Sequence, residues 1–296
     1  MPTDDEVPDP GRFDVNAERG FLPDDPPLAS LDRDSHPRLR RLDDVGERLT
    51  ALLERDELRP KVRDLSPPPR DAFDELADRE LYHVYRTAGF LANAYVNDPD
   101  APDVDAVPAG VAVPLYESTD RLGCTPVLSY DAYVLHNWTR DDPEQGLGPP
   151  NVRPIVKFAS LPDERWFVAV HVAIESAAGP AMAAVGDAQR GIRDHDDERV
   201  ICALRTITDA LEDVTAILDR MPEQNAPEQY GRAFRPYLSS VTNVQYEGVP
   251  ELEGYRSYRG ASGAQSSFVP TLDAALGVDH GDNPLVDHLH ELRADM

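Results

Sequence analysis

From Phe167 to Val185 the chain is apolar on nearly every face of a helix, interrupted only by His171, Glu175 and Ser176. A helix with no polar side to offer water has to run through the middle of a packed body, so this tract predicts a buried central helix in a large helical domain. A second, amphipathic helix is predicted directly after it, from Asp197 to Met221. There Val200, Ile201, Leu204, Ile207, Leu211, Val214, Ile217 and Leu218 recur on one stripe, and Asp196 or Asp197 is placed to cap the start.

Shorter periodic stretches precede this pair. Leu42, Val45, Leu49, Leu52 and Leu53 mark one helix between Leu39 and Leu58, and Ser66-Pro67-Pro68-Pro69 ends it. Another helix is expected from Arg70 to about Asn97. The proline-rich stretch from Asp98 to Pro114 reads as an extended connector, and the polar loop from Asp141 to Pro154 as a domain boundary. Ile155 to Phe158 and Trp166 to Val170 fit short strands, and the latter fits the opening of a helix equally well. Further helices are expected from about Pro227 to Leu238 and from Asn283 onward. Residues 1–11 read as a disordered arm, 12–150 as a small N-terminal domain and 151–296 as a larger helical domain, giving a mainly α fold.

At 296 residues and 41% hydrophobic content the chain can bury a substantial core. Its 55 acidic residues against 29 basic ones give a net charge of −26, which repels nucleic acid and anionic lipid. Only Lys61 and Lys157 are lysines, a bias that with the acidity suggests a surface suited to concentrated salt, a halophilic trait. Cys124 and Cys202 form no CxxC pattern and are expected to be reduced. The N-terminus lacks an apolar signal region, and the longest uninterrupted apolar tract, Phe167 to Ile174, is shorter than the roughly 20 residues that span a bilayer. A soluble, cytoplasmic protein without nucleic-acid or membrane partners is therefore expected. Nothing in the sequence specifies an oligomeric state.

Three features carry chemistry. His171 and Glu175, four apart, share a helix face and suit either a metal or a mutual hydrogen bond, the satisfied polar pair being favoured on burial grounds. Arg235 falls in an apolar helical context between Phe234 and Pro236-Tyr237-Leu238, where its planar fork suits a carboxylate: a substrate's, or an internal acid's. The run from Gly260 to Ser267 is small and hydroxyl-bearing, so a flat ligand can approach its backbone, although a plain loop before a capped helix explains it as well.

In their joint order these pieces resemble one family. Arg19-Gly20-Phe21-Leu22-Pro23, Val113-Pro114, Tyr130 to Trp138 ending in Leu135-His136-Asn137-Trp138, Glu175, Arg235-Pro236-Tyr237, Tyr246-Glu247-Gly248-Val249, Ser262-Gly263-Ala264-Gln265-Ser266-Ser267, Asp273 and Leu276-Gly277 look like the pattern of the indoleamine 2,3-dioxygenases. The resemblance runs from Arg12 to Met296. It implies a small N-terminal domain on a larger all-helical domain with haem b between them. It also implies cleavage of the indole ring of L-tryptophan by dioxygen to N-formylkynurenine, the entry to the kynurenine route of tryptophan catabolism.

Carried over by position, Arg235 matches the residue pairing with the substrate carboxylate, while Phe167, Tyr130 and Tyr230 match pocket-lining aromatics. His171 is expected to act catalytically by hydrogen-bonding the indole N–H. Ser262 and Gly263 match a loop over the haem edge and the substrate ammonium, with Ala264 beside them at the cofactor. The family's iron-binding histidine is expected beyond Met296, so no metal ligand is assigned and the chain reads as C-terminally truncated. This leaves as alternatives an interrupted enzyme, a non-catalytic haem- or indole-binding protein, and, more remotely, a non-haem metal enzyme built on His171 and Glu175.

Overall fold

A computed structural model describes residues 7–13, 15–281, 284 and 286. The described residues are 55% helical and 6% strand, so the fold is mainly α. The expected helix beginning at Asn283 lies outside the described residues, as do residues 1–6.

The apolar tract predicted to be central is part of a single helix, α6 (Pro162–Asp194), opened by Pro162 at its first position, where a missing N–H costs nothing. Trp166 to Val170 belongs to this helix, not to a strand. α6 is long and apolar enough to cross a membrane, which counting only uninterrupted apolar residues does not reveal; most of its most apolar stretch is buried within the protein. His195 ends it in the left-handed conformation, and α7 (Asp197–Leu218) folds back along it. The predicted cap is made by Asp196, whose carboxylate accepts the Arg199 amide at 3.0 Å. The predicted stripe on α7 is only partly covered: Ala203, Ile207 and Ala210 are buried, whereas Ile201, Leu204, Leu211 and Leu218 are exposed.

The N-terminal portion differs from expectation in three places. The stretch predicted as one helix from Leu39 to Leu58 is broken into α1 (Arg40–Gly46), α2 (Leu49–Leu53) and α3 (Leu58–Arg63), which keep Leu42, Leu49 and Leu52 buried while the backbone turns between them. The next helix, α4 (Asp78–Val96), starts later than predicted, after a 3₁₀ turn at Arg70–Phe73. The expected connector contains β1 (Ala106–Val107) and the start of α5 (Ala109–Leu122), which accommodates Pro114 inside the helix at the expense of one backbone hydrogen bond.

Little sheet is present. β2 (Thr139–Arg140) pairs antiparallel with β3 (Val152–Arg153), and β4 (Val241–Tyr246) lies between parallel β1 and antiparallel β5 (Arg256–Tyr258). The principal core gathers α4, α5, the first half of α6 and the segments around Phe234 and Val241. A smaller one joins the second half of α6 to α7 and to α9 (Phe268–Leu276). The motif Arg19-Gly20-Phe21 packs directly on α6. Gly20 has φ +61, and a side chain there would meet the Glu175 carbonyl at 2.5 Å; one on Gly179 would meet Gly20 N at 2.7 Å. Only paired glycines allow that approach.

Candidate functional site

α6 sets Phe167, His171 and Glu175 at intervals of four, stacking them on one face. Opposite them the chain forms two π-helical turns, Asp131–Leu135 and Tyr230–Phe234, the second running into a 3₁₀ turn at Arg235–Leu238. A regular helix had been expected from Pro227 to Leu238; only a three-residue α-helical start, α8 (Pro227–Gln229), is present. π turns widen the helix by one residue and concentrate at functional sites, and both of these border the same cavity.

That cavity, about 50 Å³, is lined by Tyr130, Tyr133, Phe167, Tyr230, Arg235 and Leu238 on its walls, with Ala261, Ser262 and Gly263 across its mouth. Phe167 is the hub: its ring lies 4.3 Å from His171, 5.4 Å from Tyr230 in a stacked arrangement and 5.8 Å edge-on to Phe234. Thus every residue singled out for substrate contact is brought to one place. Tyr133, Phe234 and Leu238 were missed by sequence reasoning, although Phe234 and Leu238 flank the Arg235-Pro236-Tyr237 motif.

The hydrogen bonds define what the site offers. His171 Nδ1 lies 2.8 Å from the Phe167 carbonyl, which can only accept, so Nδ1 carries the proton and Nε2 is left as an acceptor. Nε2 faces the loop, 3.2 Å from where a side chain on Gly263 would begin. Burial lowers the His171 pKa below 6.5, keeping the ring neutral at pH 7. The imagined His171–Glu175 pair is not made. Glu175 is fully buried and accepts from the Tyr130 hydroxyl at 2.8 Å, with Ser266 also hydrogen-bonded to it, while one of its oxygens has no hydrogen-bond partner among the described residues; burial raises its pKa, and the two hydrogen bonds oppose this. Among the described residues no group of three His, Cys, Asp or Glu side chains is placed to hold a metal ion.

A further signal, Gln265, holds the loop to the wall. It is 1% exposed, and its one side-chain oxygen accepts from both Tyr130 N and Ser262 N, each at 3.0 Å. Ser262 in turn accepts the Ala264 amide at 3.3 Å. Beneath the site, buried Glu164 accepts from Tyr133 Oη, Phe158 N and Ala159 N, with burial pushing its pKa to about 7.

Arg235 is half-buried at the cavity, and its guanidinium has no acidic or carbonyl partner among the described residues. The internal salt bridge that sequence alone favours is absent, so the cation is presented to the aromatic cavity uncommitted.

The indoleamine 2,3-dioxygenase family model matches residues 9–296. Among curated relatives, the indoleamine 2,3-dioxygenase of Saccharomyces cerevisiae is 32% identical over 293 residues, covering 92% of this chain and 62% of its own. Indoleamine 2,3-dioxygenase 2 of Mus musculus is 28% identical, covering 96% of this chain and 69% of its own, and indoleamine 2,3-dioxygenase 1 of Rattus norvegicus is 30% identical, covering 84% and 63%. The chain thus spans about two thirds or less of the length of these dioxygenases. With a family match over nearly its whole length, this chain belongs to the indoleamine 2,3-dioxygenase family.

Proposed function

We propose that this chain supplies the substrate side of a haem-dependent dioxygenase that opens the indole ring of L-tryptophan to N-formylkynurenine, with dioxygen as co-substrate. The observation that carries this reading is Arg235, a guanidinium beside an aromatic cavity with no partner among the described residues. Its two-pronged donor edge takes the substrate carboxylate. Phe167 and Tyr230, already stacked, hold the indole plane, and Nε2 of His171 accepts the indole N–H. The hydroxyl of Ser262 and the bare backbone of Gly263 leave room for the ammonium group. Tyr130, anchored through Glu175 and Gln265, fixes the wall against which the ring lies.

At about 50 Å³ the cavity is smaller than an indole, so entry requires its lining to move apart. Haem b supplies oxygen activation in this family by resemblance. The described residues do not fit it, because the cavity is far too small for a macrocycle.

A second reading, binding of an indole without turnover, is favoured by an aromatic cavity far too small for a macrocycle. Calorimetric titration with L-tryptophan, followed by assay for N-formylkynurenine after addition of haem, a reductant and dioxygen, separates the two. Binding with product supports the first reading and binding without product the second. No tryptophan binding at millimolar concentration contradicts both.

A further inference from the structure

A second and larger cavity, about 630 Å³, lies on the other side of the Asp131–Leu135 turn and shares no lining residue with the aromatic cavity. It is roofed by Gly11, Phe13 and the segment from Val15 to Leu28, floored by the N-terminal part of α4 from Asp78 to Arg86 and closed by Asp131, Leu135 and His136. Its volume is that of a site for a small organic molecule. Its wall includes Phe13, Phe21 and Tyr82, the last stacked on His136 with ring centres 3.6 Å apart and planes 5° from parallel.

The charges around this cavity are unevenly committed. All three arginines at its edge are engaged. Arg79 donates to the Pro26 carbonyl, Arg121 is paired with Glu117 and Asp74, and Arg86 donates to the carbonyls of His136 and Leu28 at 2.6 and 2.7 Å. Arg86 also donates to His83 Nδ1 at 2.8 Å, and His83 Nε2 passes the contact on to Asp43 at 2.8 Å.

The acids are less engaged. Asp25 and Asp78 have no hydrogen-bond or ion-pair partner among the described residues. Asp131 faces only the His136 imidazole at 3.3 Å and the Cys124 thiol at 3.9 Å. Burial lowers the pKa of that imidazole to about 3 and raises that of Asp131 to about 7, so the imidazole is no counter-ion and the carboxyl is fully charged at neutral pH only beside an added cation. One buried donor is also unanswered: Arg86 is 0% exposed, and its Nε–H has no acceptor. The lining therefore offers an aromatic wall, surplus carboxylates and one donor that lacks an oxygen.

We propose that this cavity is a second binding site, for a small aromatic cation that also carries an oxygen acceptor: a hydroxylated aromatic amine. Its ammonium group pairs with Asp131, assisted by Asp25 and Asp78 at the mouth, its ring lies along Tyr82 and the phenylalanines, and its oxygen accepts from Arg86 Nε. Because the Asp131–Leu135 turn is the common wall, occupancy is read directly next to Tyr130 and Tyr133.

The test titrates the full chain calorimetrically with three probes sharing one skeleton: tyramine, 4-hydroxyphenylacetate and phenethylamine. Tyramine is expected to bind at least tenfold more tightly than the anion and severalfold more tightly than the amine without the hydroxyl. Asp131→Asn is expected to lower tyramine affinity at least tenfold. Leu135→Trp, which fills the cavity, is expected to abolish binding, and Asp78→Asn on the exposed start of α4 to weaken it two- to threefold should either buried variant fail to fold. Arg235→Ala is expected to leave tyramine binding unchanged. The proposal is overturned if tyramine does not bind, if the anion binds equally well, or if Arg235→Ala abolishes binding while the folded cavity variants retain it. The last outcome would move the amine into the aromatic cavity and leave that site's own assignment standing.

Discussion

Arg86 and Arg235 look alike in the sequence, each an arginine set among apolar and aromatic neighbours in a helical stretch, yet the structure treats them in opposite ways. Arg86 is completely buried, and its terminal nitrogens are taken by two carbonyls and by His83, with Asp43 behind. Burial pulls its pKa down to about 9, and Asp43 partly offsets this. Arg235 is half-buried and has no hydrogen-bond or ion-pair partner among the described residues. A buried charge without partners is expensive, so a guanidinium whose terminal nitrogens are all taken, as in Arg86 where only Nε lacks an acceptor, is held by the fold, whereas one without any partner at a cavity calls for a ligand.

The contrast can be broken most forcefully at Arg86. Arg86→Ala strands Asp43 and His83 and leaves two carbonyls unmet, so it is expected to cost about 3–5 kcal/mol of folding stability; a loss below about 1 kcal/mol in denaturant unfolding would show that the network is dispensable. Arg235→Ala should instead cost about 1.5–3 kcal/mol in L-tryptophan affinity, the range for hydrogen bonds to a charged group, while moving the unfolding midpoint by less than about 0.5 kcal/mol. The reverse pattern would exchange the two roles. Tyr130→Phe removes one of the hydrogen bonds to buried Glu175, the other coming from Ser266, and is expected to cost about 1–3 kcal/mol of stability, measured in the same way.

A smaller effect comes from pH. The neutral His171 ring supplies the acceptor, and burial places its pKa below 6.5. Indole affinity should therefore stay level from pH 8 to about 6.5 and decline as pH falls through the lowered pKa, because protonation removes the lone pair on Nε2. In His171→Ala that decline should be absent, and an affinity that rises on acidification would reverse the assigned tautomer.

The same pair of arginines shows how far sequence can be read. Periodicity locates α6 and α7 because an all-round apolar tract and an amphipathic stripe are local properties of the chain. It does not report which faces find partners, so the α7 stripe looks as buried as α4 while Ile201, Leu204 and Leu211 remain exposed. The breaks among α1, α2 and α3, and the helical placement of Pro114, depend on tertiary packing that overrides local preference. The π turns at Tyr133 and Tyr230 are likewise invisible, since one extra residue per turn leaves no compositional mark. Motif order points to Phe167, His171, Tyr230, Arg235 and Ser262 together. The partners that give them meaning, Gln265 bridging Tyr130 to Ser262 and the Phe167 carbonyl fixing the His171 tautomer, emerge only in three dimensions.

The most direct test of the uncommitted guanidinium compares indole-3-propionate with indole-3-propionamide, two ligands that differ only in the charged carboxylate and that the cation-selective second cavity does not favour. In the wild-type chain the acid should bind at least tenfold more tightly than the amide, and in Arg235→Ala the two should bind equally. Equal binding in the wild type, or a preference for the acid that survives the substitution, would contradict the account.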